Sequence, residues 1–141
     1  MSFVRPAAVA GLFYPSDPGE LAAAVRDHLT RAPAGAAPVP KALIVPHAGY
    51  IYSGAIAAAA YARVAPAAGR IRRVVLLGPC HRVAVRGLAT SDAEAFATPL
   101  GRVRIDAEAR RLALTLPQVS VFEATHEKEH SLEVHLPFLQ V

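Results

Sequence analysis

Apolar positions along the chain follow two rhythms. In PSDPGELAAAVRDHLTRA, Leu21, Val25 and Leu29 recur at helical spacing behind Asp17, Pro18 and Glu20. Asp17 suits an N-cap, Pro18 the first helical position and Glu20 the reciprocal partner of a capping box, so the spacing predicts a helix from Pro18. His28 lies beside the stripe and reads as a boundary or surface residue. KALIVP (41–46) and RRVVLLGP (72–79) have no such spacing. They are short, nearly continuous apolar runs bounded by Pro or Gly, and read as buried strands. Between them SGAIAAAAYARVAP predicts a helix opened by Ser53 and stopped at Pro66. Helix, strand, helix, strand with strands this apolar points to an α/β fold around a mostly parallel sheet.

The later pattern is weaker. RGLAT, GRVRI and VSVFEA read as short strands, and DAEARRLALTL as a helix with Asp106 at its N-cap. HSLEVHLPFLQV reads as the start of an amphipathic helix whose last residues are apolar, with no capping glycine. A parallel sheet needs more strands than these. The expectation is one α/β domain over residues 1–141 that forms the N-terminal part of a larger domain.

Composition narrows the function classes. The chain is 53% hydrophobic and 18% charged, which is globular. Alanine supplies much of this in AAAV, AIAAAA and AEAFA (93–97), a bias that favours helix. A net charge of +4 invites a nucleic-acid reading, but the arginines come in scattered pairs and aromatics are only 6%. A solvated, mildly basic surface is the simpler account. A single cysteine, Cys80, excludes an internal disulfide framework. The N-terminus lacks the long apolar region of a signal peptide, and no apolar run reaches membrane-span length. A cytoplasmic setting is expected.

HEKEH (126–130) matches H-E-x-x-H, which on a helix grips zinc with a glutamate base. Here the stretch between the histidines is wholly polar. The position six residues after the second histidine, where a third zinc ligand belongs, is Leu136, with His135 one residue short. A protease is therefore not expected. The more informative pattern is that both apolar runs end alike, in PHAGY with His47 and in GPCH with Cys80 and His81. Ligands bind at the carboxyl ends of parallel strands, so neighbouring strands would place His47 and His81 on one rim, as candidate metal ligands or as hydrogen-bonded turn residues. Cys80 offers a soft thiolate or a small residue in a turn. Tyr50 and Tyr52 are candidate pocket residues, or ordinary packing. His130 and Glu133 would share a face of a helix, with Glu133 orienting an imidazole or the stretch serving only as a polar helix start capped by Ser131, and His135 lies nearby.

PHAGYIYSG, VVLLGPCH and HSLEVHLPFLQ, with RPAAVAGLFYPSDPGEL ahead of them, together resemble the Memo family, whose bacterial and archaeal members are called AmmeMemoRadiSam system protein B. The resemblance implies a three-layer α/β fold similar to the LigB-like class III extradiol dioxygenases, which are non-haem iron enzymes. It implies His47 and His81 as two metal ligands, with a third drawn from a C-terminal half beyond this sequence. The metal it implies is foremost Fe(II), with copper or zinc as alternatives. It also implies AMMECR-like and radical-SAM proteins of the same system as partners. The family usually has a small polar residue, often Ser, where this chain has Cys80.

Two functions of different class follow. One is a metal-dependent redox enzyme, dioxygenase-like, of unknown substrate. The other is a non-catalytic module binding a peptide or small ligand in the same pocket, where Arg102, Arg104 or Tyr52 would matter more than the imidazoles.

Overall fold

In a computed structural model that describes residues 3–33 and 38–141, the first long element is helix α1, Pro18–Arg31. Its start is the one the capping pattern predicts: Asp17 Oδ1 accepts from the Glu20 N–H at 2.9 Å. Leu21 and Val25 are fully buried, and they face helix α2, Tyr50–Tyr61. Helix α2 begins before Ser53. Gly49 is its N-cap and the Ser53 hydroxyl donates to the Ala48 carbonyl within the first turn. The helix ends at Tyr61, short of Pro66, which sits in a separate 3₁₀ turn, Ala65–Ala67. Tyr14, Tyr50, Tyr61, Val134 and Phe138 complete the main core around these two helices. The Pro/Gly-rich stretch 32–40, whose composition reads as a loop, lies partly outside the described residues.

Five short strands are shared between two sheets among the described residues. In the first, β1 (Val4–Arg5) runs parallel to β3 (Ala95–Thr98), which pairs antiparallel with β4 (Gly101–Arg104). In the second, β2 (Leu88–Thr90) runs parallel to β5 (Val119–Val121). The fold is thus α/β with one mixed and one parallel sheet. Strand β3 lies in the alanine-rich stretch read as helix-favouring. There Ala95 and Phe96 are buried and the antiparallel ladder with β4 overrides alanine's helix propensity. Gly87, at φ +83°, opens β2 where a Cβ would stand 2.4 Å from the Gln118 carbonyl oxygen, so only glycine permits that approach. Helix α3 (Ala107–Ala113) follows its predicted cap, with Asp106 Oδ1 accepting from the Ala109 N–H. No helix among the described residues is long and apolar enough to cross a membrane.

The two apolar runs differ from their expectation as buried strands. Neither 41–46 nor 72–79 is hydrogen-bonded into a sheet, and Ile44, Val74, Val75 and Leu77 are exposed, Val75 at 80% and Leu77 at 73%. Their composition suits burial, but no described strand lies alongside to complete a ladder. Unpaired apolar segments of this kind favour self-association. The 141-residue chain is expected to form concentration-dependent oligomers in sedimentation velocity, and the double variant V75K/L77K to shift them toward monomer. A monomeric parent at high concentration would refute this.

Candidate metal centre

Three loops carry the candidate site. His47 leaves segment 41–46 just ahead of α2, in a turn held by the Tyr50 N–H donating to the Phe13 carbonyl at 2.8 Å. His81 leaves segment 72–79, which lies against the loop that follows the four-residue helix α4 (Ala124–Glu127). A Cβ on Gly78 would stand 2.9 Å from Ser131 Oγ, and the Ser131 hydroxyl donates to the Pro79 carbonyl at 2.7 Å. Glycine at 78 therefore lets the two loops touch. His130 sits on the second of them.

These loops bring His47, His81 and His130 together, one ring nitrogen of each lying within 4.8 Å of the others. The His81 and His130 rings stack at 4.5 Å, with His47 at 5.3 Å from His81 and 5.9 Å from His130. The Phe13 ring lies tilted beside that of His130, with centroids 4.5 Å apart. Beside the cluster is an open hollow of about 470 Å³ lined by Phe13, Pro46, Ala48, Gly49 and Tyr52 together with His47 and His130.

Glu129 joins the loops. Its Oε1 accepts from the His130 and Ser131 N–H groups, both at 2.9 Å, and lies 2.8 Å from His81 Nδ1. Its Oε2 accepts from the His81 N–H at 2.6 Å. Burial pushes this carboxyl up, but the hydrogen bonds from His81, Ser131 and His130 prevail and hold it down at about 2. His130 is lowered, first by burial and then by His81, His47 and Arg82, against the pull of Glu129. The lowering favours the neutral imidazole, the form that ligates.

The other candidates fall elsewhere. Tyr50 is buried, and its hydroxyl donates to the Val134 carbonyl at 2.8 Å, so it belongs to the core and not to the hollow. Tyr52 is exposed at the hollow's rim. Cys80 points its thiol at the Thr125 carbonyl, 3.7 Å away, and is not among the clustered donors. Glu133 makes no hydrogen bond or ion pair to an imidazole among the described residues. Its fully buried carboxylate pairs with Arg5 and accepts from the N–H groups of Ala8 and Val9 and from the Tyr14 hydroxyl. The expected helix start at His130 is absent. Only a 3₁₀ turn, Glu133–His135, precedes helix α5, Leu136–Gln140, so the spacing argument for His130 and Glu133 fails. His135 is buried beside Tyr61, with no hydrogen-bond partner for its Nδ1 among the described residues. Helix α4 ends at Glu127, so His126 and His130 share no helical face. His126 is buried against Phe96, within helix α4.

His130 as a third clustered donor and Glu129 as the partner of His81 were not legible from spacing. The nearest signal was polar: Glu129 and His130 adjacent and followed by Ser131, ahead of the more apolar C-terminal residues.

Comparison with known proteins agrees with this arrangement of motifs. The profile of the Memo family, described as Memo-like protein, matches residues 5–141. A MEMO1 family protein of Aquifex aeolicus is 44% identical over 141 residues, covering 97% of this chain and 49% of that protein. Protein MEMO1 of Danio rerio is 41% identical over 138 residues, 95% of this chain and 44% of its own length. A MEMO1 family protein of Ignicoccus hospitalis is 40% identical over 148 residues, covering 97% and 51%. The chain thus spans about half the length of the curated relatives it matches. With the family profile matched from Arg5 to Val141, this chain belongs to the Memo family.

Proposed function

We propose that the chain carries a metal centre built on His47, His81 and His130, used by the whole protein for metal-dependent, dioxygenase-like redox chemistry on a substrate still unknown. The observation that supports this reading is the convergence of three imidazole nitrogens within 4.8 Å. An all-imidazole set suits iron, copper or zinc and disfavours magnesium or calcium, and Fe(II) is our reading. A bound metal would supply Lewis acidity and, for iron or copper, redox chemistry at open positions. The residues' own part is to present neutral donors: burial keeps His130 unprotonated, and Glu129 engages one nitrogen of His81. Phe13, Pro46 and Tyr52 give the neighbouring hollow an apolar wall and one phenol, suited to a small, partly apolar ligand. The three-layer LigB-like fold, a cytoplasmic location and partnership with AMMECR-like and radical-SAM proteins belong to the same proposal.

The same apolar hollow supports the second reading, a module that binds a peptide or small ligand without catalysis. One experiment separates them. Anaerobic Fe(II) binding is expected to be stoichiometric in the parent, and His47→Ala, His81→Ala and His130→Ala each to weaken it by roughly a hundredfold or more while circular dichroism shows a folded chain. Absence of specific binding to a folded parent would sink the metal reading. Ligand binding that survives chelation and loss of His47 would favour the module.

A further inference from the structure

His81 is the loosest of the three clustered histidines: its side chain is 40% exposed, against 16% for His130. One face stacks on His130, and little else restrains the ring. What does restrain it is Glu129, which takes both the backbone N–H of His81 and a contact to its Nδ1. The carboxylate is itself rigid, being 5% exposed and fixed by the N–H groups of His130 and Ser131. One buried side chain therefore ties the loop bearing His81 to the loop bearing His130.

We infer that Glu129 is a positioning residue that fixes His81 as the Nδ1–H tautomer, leaving Nε2 as the nitrogen free to ligate. This rests on the proposed metal centre. The geometry carries it. Oε1 already receives two backbone N–H donors, so it is arranged as an acceptor toward the nitrogen 2.8 Å away. A ring nitrogen facing such an oxygen carries the hydrogen, and in neutral imidazole the other nitrogen then holds the lone pair. Carboxylates that receive the second N–H of a ligating histidine set its tautomer and orientation, and losing one lowers metal affinity by about 10–100-fold. An amide in place of Glu129 cannot satisfy all four donors, because its NH₂ group repels whichever donor it faces. Glutamate is the side chain that accepts from all of them.

The test has a metal-free arm and a metal arm. In the metal-free parent, long-range ¹H–¹⁵N correlation at a pH where His81 is neutral is expected to show the Nδ1–H tautomer at His81. In Glu129→Gln the same spectrum is expected to shift toward Nε2–H or a mixture. Zn²⁺ affinity of Glu129→Gln, read by competition with a chromophoric chelator, is expected to fall about 10–100-fold with the fold retained by circular dichroism. An Nε2–H tautomer at His81 in the parent overturns the inference, and so does a folded Glu129→Gln that keeps parental tautomer and affinity. If Glu129→Gln does not fold, the parent's tautomer decides alone. A parent that binds no Zn²⁺ yet shows Nδ1–H sinks the metal centre while leaving the Glu129-set tautomer standing.

Discussion

Glu133→Ala is expected to cost the fold about 3–5 kcal/mol, the usual result of removing one partner of a buried ion pair. The reason is what the carboxylate holds. It is fully buried, pairs with Arg5, and accepts from the Ala8 N–H at 2.8 Å, the Val9 N–H at 3.0 Å and the Tyr14 hydroxyl at 2.5 Å. Its loss strands a guanidinium that is itself only 2% exposed, along with three neutral donors. Arg5→Met should cost less. The guanidinium also donates to the carbonyls of His126 and Glu129 and lies 4.9 Å from the Phe96 ring, and methionine can keep part of that packing. Glu133 would meanwhile retain three hydrogen bonds to its charge. Urea unfolding of both variants measures the order, and an Arg5→Met loss equal to or above that of Glu133→Ala would refute it. Glu133→Ala should also weaken metal binding, because the lost contacts hold the segment that carries His130 against the N-terminal turn.

The parts of this molecule that were legible in the sequence are those specified by near neighbours. The α1 and α3 starts rest on an aspartate and the N–H three residues on, and both caps form. The pairing of His47 with His81 also had a signal, since each follows an apolar run ending at proline or glycine, and the rings lie 5.3 Å apart. What depended on distant partners was not legible. Strands β1 and β3 are 2 and 4 residues long and exist through each other and β4, against an alanine-rich local preference. The exchange of roles between the two glutamates has the same origin. Glu129 and Glu133 both flank histidines, and only the third dimension sends Glu133 to Arg5, 128 residues away, and Glu129 to His81, 48 away. The apolar runs 41–46 and 72–79 show the converse: their composition states that they are to be buried, while no described strand buries them.

Acid is expected to destabilise the protein before its carboxylates titrate, and His135 is the main reason. Its ring is 6% exposed, its Nδ1 has no hydrogen-bond partner among the described residues, and burial, helped by the nearby His47, lowers its pKa from 6.5 to about 4. Between those two values the unfolded chain binds the proton and the folded chain does not. Stability is therefore fully present above pH 6.5, falls as pH drops toward 4, and levels off below that for this group. At about 1.4 kcal/mol per pH unit the full loss is on the order of 3–4 kcal/mol, a sizeable share of a typical domain's stability. His126 and His130, also lowered by burial, add to the slope in the same direction. Glu129 contributes a separate loss at lower pH, since its carboxyl is held at about 2 against an ordinary 4.5. Urea unfolding of the metal-free protein at pH 7, 5.5 and 4.5 measures the slope. His135→Phe keeps an aromatic ring beside Tyr61 but cannot take a proton, so it should flatten the dependence between pH 6.5 and 4.5. A variant as acid-sensitive as the parent in that window would show that His135 is not the group responsible, and the slope would then fall to His126 and His130.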